Sequence, residues 1–381
     1  MKQKISVVTG TRSEYGILRP VLREILASKK LELYLIVAGM HLSKKYGMTI
    51  NEIKKDGYKI FATVDMIPKG DSPFFMAKAL GEGITKFSEI FHKLQPDLNL
   101  VLGDRTEALA SSLAACHMNI PNVHIHGGDK SKAGIDEYTR HAITKISNIH
   151  FAATKKSKQR IIKMGENPKY VFLTGSPSID EIRNNEITDK NILEKKYSIK
   201  FQGNEIILVY HPVTTEINNS VKEIENILHA IVKHKKPTII IAPNSDAGSR
   251  KIFNILNRYS KKYNFKMYKN LPRSDYLAML KHTGVLVGNS SSGIIEASYL
   301  NTPVVNVGIR QKNRESNGNV INIENDTVES IYHAIQSGLN KKNTKYHVKH
   351  IYGDGNASKK IVKHLEQIIT DKKLIQKQIS Y

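Results

Sequence analysis

The chain has 381 residues, 40% hydrophobic and 24% charged, which is enough apolar material for two ordinary domains, each with its own core. A single cysteine, Cys116, excludes a disulfide framework and a cysteine-based zinc cluster; no apolar stretch is long enough to span a bilayer, and Ile5–Val8 is too short for a signal-peptide core, so a cytoplasmic location without membrane partners is expected. The formal net charge of +23 invites nucleic acid, but the lysines scatter over expected helix faces and no recognised nucleic-acid module is found, which favours a solvated basic surface that helps attract an anionic small substrate.

Taken in chain order, Ile5–Val8 is a β-branched run that predicts a strand, followed by the turn Thr9–Gly16 and a helix from about Ile17 to Ser28. The turn lies at the carboxyl end of the first strand, the edge at which open α/β sheets bind ligands. Arg12 projects from it with the paired donors that a diphosphate needs; the plainer alternative is an arginine in a solvated loop. Leu33–Val37 predicts the second strand, and His41 after it reads as a loop residue rather than a catalytic one. Ala77–Leu94 is a helix, Leu98–Leu102 a strand, and Ala108–Met118 a helix in which Cys116 is expected to be buried. Asp104 sits at a strand end just before that helix, as an N-cap or a catalytic carboxylate, the cap being the simpler reading. Asn122–Ile125 is a strand whose alternation is expected to put His124 and His126 on one face. A turn at Gly127–Asp129 follows, then a helix begun by Asp136–Ile143, then strands at Ile149–Ala152 and Val171–Leu173.

Between Ser176 and about Phe201 the chain becomes polar, and the domain boundary is placed there: residues 1–176, residues 177–355, and a C-terminal helix and tail at 356–381. A second α/β series follows. Strands are expected at Glu205–Tyr210, Pro237–Ala242 and Phe265–Tyr268, with helices at Val221–Val232 and Arg250–Lys262 and another beginning at Leu271–Tyr276. His211 and Asn244 follow the first two of those strands. The stretch Val285–Val307 then reads strand, polar turn, short helix, strand. Its turn offers backbone N–H groups and the Ser290 and Ser291 hydroxyls as a phosphate cradle that needs no lysine. Glu296, about one helical turn on, is placed to accept hydrogen bonds from sugar hydroxyls. An ordinary Ser-capped helix is the plain alternative. The fold class expected is α/β, two doubly wound Rossmann-like domains facing a cleft.

Seven segments occur in this order: GTRSEYG, GDRTEA, GIDEYTRHAI, HPVTTE, PNSDAGS, GNSSSGIIE and GIRQKNRESNGNV. Together they closely resemble the hydrolysing UDP-N-acetylglucosamine 2-epimerases that supply N-acetylmannosamine for sialic acid synthesis. Bacterial relatives of this type act on a UDP-diacetamido sugar, and a non-hydrolysing branch returns the epimerised nucleotide sugar. The resemblance implies the two-domain fold named for type-B glycosyltransferases, in which the C-terminal helix, here at 356–381, crosses back onto the first domain, and a UDP-sugar partner; a homo-oligomer, dimer or tetramer, is expected as well. It implies that Arg12 lies near the diphosphate, Asp104 is a catalytic aspartate and Arg105 a substrate contact. It likewise makes Asp136 the first of the paired acids before Arg140, His211 a contact to diphosphate and sugar, and Asn244 a contact in the second domain. Ser290 and Ser291 match the phosphate-binding serines, Glu296 the ribose carboxylate, and Arg310 the arginine preceding the family's glutamine, here Gln311.

One position departs from the family pattern. Where His-x-Glu-Gly-Gly is usual, this chain has His124-Ile125-His126-Gly127-Gly128, and the following loop, residues 129–134, is one residue longer. Either His126 takes over as acid/base, which an imidazole can do near neutral pH, or the site is retuned for another sugar or filled by Asp129. The first reading is favoured. The reaction implied is loss of UDP from C1 with removal of the C2 proton to give a glycal, followed by addition of water. Arg12, His211 and the serine cradle suit the departing diphosphate, and Asp104, His126 and Asp136 are the acid/base candidates. No cofactor or metal is expected. A glycosyltransferase of the same fold is disfavoured by the acidic cluster between His124 and His141. A non-catalytic nucleotide-sugar sensor is disfavoured by the presence of Asp104 and Asp136.

Overall fold

Short runs of β-branched and aliphatic residues separated by amphipathic helices build two all-parallel sheets, the pattern required when both faces of a sheet are covered by helices. The computed structural model describes all residues except Met1, Pro68, Lys69, Asp71, Ala133, Asn185, Glu324, Asn325, 343–348 and Tyr381. The chain divides into two compact units: Met1–Lys130 with Asp136–Glu181 and Tyr352–Tyr381, and Ser131–Ile135 with Ile182–Ile351.

The first unit holds β1 (Gln3–Thr9), β2 (Leu31–Ala38), β3 (Ile60–Val64), β4 (Leu98–Leu102), β5 (Asn122–Ile125), β6 (Ile149–Ala152) and β7 (Val171–Leu173), in the order β3-β2-β1-β4-β5-β6-β7. Its helices include α1 (Arg12–Ala27), α2 (Ile50–Lys55), α3 (Pro73–Leu94), α4 (Thr106–His117), α5 (Ile135–Ile146), α6 (Lys155–Lys163) and α7 (Asp180–Arg183). Tyr15, Leu18, Leu22 and Ile25 of α1 cover one sheet face, joined by Ile361, Val362 and Leu365 of the C-terminal helix Ala357–Leu365. Phe87, Phe91, Ala110 and Ala114 of α3 and α4 cover the other. The C-terminal helix is held at its start by Asp180, whose carboxylate accepts from the backbone N–H of Ala357 (3.0 Å) and of Ser358 (2.8 Å).

The second unit contains α8 (Lys190–Tyr197), β8 (Ile206–Val209), α9 (Ile217–His234), β9 (Thr238–Ile241), α10 (Ser249–Tyr263), β10 (Lys266–Tyr268), α11 (Arg273–His282) and β11 (Val285–Gly288). It continues with α12 (Ser291–Ile294), α13 (Glu296–Tyr299), β12 (Val304–Val307), β13 (Val320–Ile323) and α14 (Val328–Asn340), the strands running β10-β9-β8-β11-β12-β13. Ile224, Ile227 and Leu228 of α9 and Ile331 and Ile335 of α14 pack against Ile206, Leu208, Val285 and Val305. The expected fold class, two Rossmann-like parallel α/β domains, is the one observed.

Several local expectations change. The first helix starts at Arg12 rather than near Ile17, because Thr11 and Glu14 form a reciprocal capping box. Cys116 is exposed, not buried: Ala108 and Ser112 on the same side of α4 are buried, but Cys116 lies in the last turn, beside exposed His117, where the helix runs out past the core. His124 and His126 do not share a face, because His126 lies beyond the end of β5 with a left-handed φ of 65°, which breaks the alternation. Asp104 does not cap α4; Arg105 occupies that position with no side-chain cap. The short helix after Ser290 is two four-residue helices meeting at Ile295.

Candidate active site

In a doubly wound sheet the strand order reverses at one point, and the loops leaving the carboxyl ends of the two strands there diverge to opposite faces, opening a crevice. That point falls between β1 and β4 in the first unit and between β8 and β11 in the second. Four of the seven motifs, GTRSEYG, GDRTEA, HPVTTE and GNSSSGIIE, follow these four strands.

In the first unit the turn after β1 carries Arg12, whose Nε donates to Glu52 Oε2 at 3.0 Å. The turn after β4 carries Asp104 and Arg105. Arg140 of α5, 2% exposed, is the centre of the acidic cluster. It donates to Asp104 Oδ2, to Glu137 Oε2 at 2.6 Å and to the Asp129 carbonyl at 3.1 Å. Asp136 is buried in the first turn of the same helix. A buried guanidinium needs several acceptors to offset its desolvation, and these three fix where Asp104 points.

Two histidines have different surroundings. His124 is fully buried, and its Nε2 lies 2.7 Å from the Gly103 carbonyl, so Nε2 carries the proton and donates. Burial holds His124 neutral, lowering its pKa to about 3. His126 is 6% exposed. Its Nε2 is 2.8 Å from Ser176 Oγ and its Nδ1 3.5 Å from Asp129 Oδ2, while Asp129 Oδ1 accepts from Ser157 Oγ at 2.8 Å. The loop after Asp129 includes Ala133, which lies outside the described residues.

In the second unit one residue ties three loops together. Asn289, directly after β11, accepts the His211 backbone N–H through Oδ1 and donates to the His211 carbonyl through Nδ2, both at 2.8 Å. Its own carbonyl accepts from Arg310 Nη1 at 3.2 Å and Gln311 Nε2 at 3.0 Å. Asn244 sends its backbone N–H to His211 Nδ1 at 3.3 Å, which leaves the ring proton on Nε2. Ser290 caps α12 by accepting from Ser292 N–H, and Ser291 is the first helical residue. Glu296, 3% exposed, accepts from Arg273 Nη2 at 3.3 Å, so its charge is compensated while one oxygen remains for a further donor.

The two switch points thus gather Arg12, Asp104 and Arg105 in one unit, and His211, Ser290, Ser291 and Arg310 in the other. The sequence reading missed the partners that hold them: Glu52 for Arg12, Arg273 for Glu296, Ser176 for His126, and Asn289 for His211. Only Asn289 has a visible signal, standing inside GNSSSG; the other three stand in no motif of the site, and all four lie far from their partners in sequence. Among the described residues no group of three or more His, Cys, Asp or Glu is arranged to hold a metal ion, and no helix is long and apolar enough to cross a membrane.

A sequence profile described as UDP-N-acetylglucosamine 2-epimerase matches residues 23–366. The UDP-N,N'-diacetylbacillosamine 2-epimerase (hydrolyzing) of Legionella pneumophila is 38% identical over 381 residues, all of both chains. The polysialic acid biosynthesis protein P7 of Escherichia coli is 36% identical over 323 residues, 84% of this chain and 82% of that protein. Among solved structures, Methanocaldococcus jannaschii UDP-GlcNAc 2-epimerase in complex with UDP-GlcNAc and UDP superposes with a TM-score of 0.81, covering 96% of this chain and all of that one at 20% identity, which establishes the shared fold. With a profile match over most of its length and a full-length relative at this identity, the chain belongs to the UDP-N-acetylglucosamine 2-epimerase family.

Proposed function

We propose that this protein is a hydrolysing 2-epimerase that converts a UDP-linked 2-acetamido sugar and water into UDP and the free sugar inverted at C2. The full-length 38% identity to a hydrolysing relative carries this reading. Residues 1–176 act as the catalytic domain and residues 177–355 as the UDP-binding domain. Ser290, Ser291 and Arg310 hold the diphosphate, Glu296 accepts from the ribose hydroxyls, and Asn244 and His211 contact the substrate beside them. His211, protonated on Nε2, donates to an anionic oxygen of the substrate. Arg12 and Arg105 add positive charge for the departing UDP. Asp104, His126 and Asp136 share the acid/base work: one takes the C2 proton as the C1–O bond to UDP breaks, giving the glycal. Protonation at C2 from the opposite side and attack of water at C1 then complete the free sugar.

Two substrates fit this scheme. The Legionella relative's name favours a UDP-diacetamido sugar such as UDP-N,N'-diacetylbacillosamine. The family profile favours UDP-N-acetylglucosamine. A cytoplasmic homo-oligomer belongs to the same reading. Proton NMR of the purified protein with each nucleotide sugar tests it. A free C2-inverted sugar with UDP is the expected product, and the faster substrate is the diacetamido sugar. Release of an epimerised UDP-sugar would place the protein in the non-hydrolysing branch, and no turnover of either would refute the proposal.

A further inference from the structure

Beneath the substrate-facing loops of the first unit lie two acids that the proposed mechanism does not use. Glu14, in the first turn of α1, is buried, and its Oε2 accepts from the backbone N–H of Gly10 (3.0 Å) and Thr11 (2.9 Å). Glu107, in the first turn of α4, is 6% exposed and abuts the same residue: a Cβ at Gly10 would lie 2.6 Å from Glu107 Cδ. A Cβ at Gly39, where φ is +57°, would collide with Glu107 Oε1. The loops leaving β1, β2 and β4 therefore close on this one carboxyl group, and only glycine permits the approach at Gly10 and Gly39. Arg105 Nε stands 3.6 Å from Glu107 Oε2, which is buried and accepts no hydrogen bond among the described residues.

We propose that Glu14 and Glu107 act as a single carboxyl pair sharing one proton, and that this pair positions Arg105 and the Gly10–Thr11–Arg12 turn for the anionic substrate. Two ionised carboxylates in one buried site repel each other, and a shared proton removes that repulsion while leaving one negative charge for Arg105. It also provides a donor where Glu107 Oε2 accepts nothing. Burial and the neighbouring Glu107 charge push Glu14 up to about 8, against the opposing pull of Arg105 and the two backbone donors. The other charged or titratable groups near the turn do not replace the proton. Arg12 is paired with Glu52. His41 is held neutral by burial, which lowers its pKa to about 4, and bonds to Thr9 Oγ1 (3.1 Å) and Thr49 Oγ1 (2.8 Å). Loss of the shared proton would set a second negative charge under the turn that must hold a diphosphate.

Infrared difference spectroscopy of the full chain tests the pair without reference to turnover. The wild type is expected to show a carboxylic-acid C=O band that disappears between pH 7 and 9 and is absent from both Glu14→Gln and Glu107→Gln. No such band in the wild type, or a band surviving in both variants, overturns the pair. The positioning role rests on the proposed function and is read from the pH profile of kcat/KM. With one proton lost near pH 8, the wild type should fall about tenfold from pH 7 to 9. Either glutamine variant carries one charge at most, so its own values at pH 7 and 9 should agree within about threefold. An alkaline fall of equal size in wild type and both variants overturns the positioning role. If no UDP-sugar is turned over at any pH, the proposed function fails, and the infrared band still decides the pair.

Discussion

Replacing Arg140 with Met tests whether this guanidinium organises the acidic cluster. Arg140 is 2% exposed and serves Asp104, Glu137 and the Asp129 carbonyl at once. Removing one partner of a fully buried ion pair costs about 3–5 kcal/mol. Here the Asp104 and Glu137 side chains are each 25% exposed, and Glu137 keeps His141 at 3.1 Å, so solvent and that histidine recover part of the loss. The lower end, about 3 kcal/mol, is the expected cost. For a unit of this size that lowers Tm by roughly 6–12 °C, measured by circular dichroism because the chain has no Trp. Arg140→Lys should recover little, since a point charge cannot serve three acceptors in a fixed fork. A Tm within about 2 °C of wild type in Arg140→Met would refute the reasoning, and would mean that water already satisfies Asp104 and Glu137.

Three other outcomes are expected. Glu296→Ala should weaken UDP binding by about 1.5–3 kcal/mol, the loss of a charge-assisted hydrogen bond; unchanged affinity by calorimetry would remove Glu296 from the ribose site. His126→Ala should lower kcat by on the order of 10²–10⁴ with UDP affinity retained. A lower Tm with near-normal kcat would instead make His126 a structural link between the Gly127 turn and Ser176. The depressed pKa values of His124 and His41, about 3 and about 4, mean that the unfolded chain takes up protons there before the folded chain does. Their stability contribution is full above pH 6.5 and is lost as pH falls toward those values. Tm should therefore drop over that window, and less steeply in His124→Gln, whose amide still donates to the Gly103 carbonyl.

The legible parts of the fold were those in which one local rule decides. Leu98–Leu102, Asn122–Ile125, Ile149–Ala152 and Val171–Leu173 are legible with their observed limits, because each is a short, mainly apolar run set between helical segments. Ile60–Val64 and Val320–Ile323 are not legible in this way. Both are edge strands with half-exposed positions and a polar residue, Thr63 or Asn322, within the run; Val171–Leu173 is an edge strand too, but all three of its residues are apolar. The helix Val328–Asn340, which is not among the elements expected from the sequence, packs Ile331 and Ile335 into the core with ordinary helical spacing.

The candidate site divides along the same line. Sequence order alone puts Arg12, Asp104, His211 and Ser290 at carboxyl ends of strands, since each follows a β-run directly. What it does not contain is which strands are neighbours, and the chemistry depends on that. Asn289 reaches His211 because β8 and β11 pair in register, Val209 beside Gly288, although the two residues are 78 positions apart. Glu107 reaches Gly10 and Gly39 because β4 and β2 flank β1. A local pattern reports which residue ends a strand, and pairing decides whom it meets. Charged side chains that act through a neighbour, such as Glu14, Glu107 and Arg140, therefore become functional candidates only once the sheet order is known.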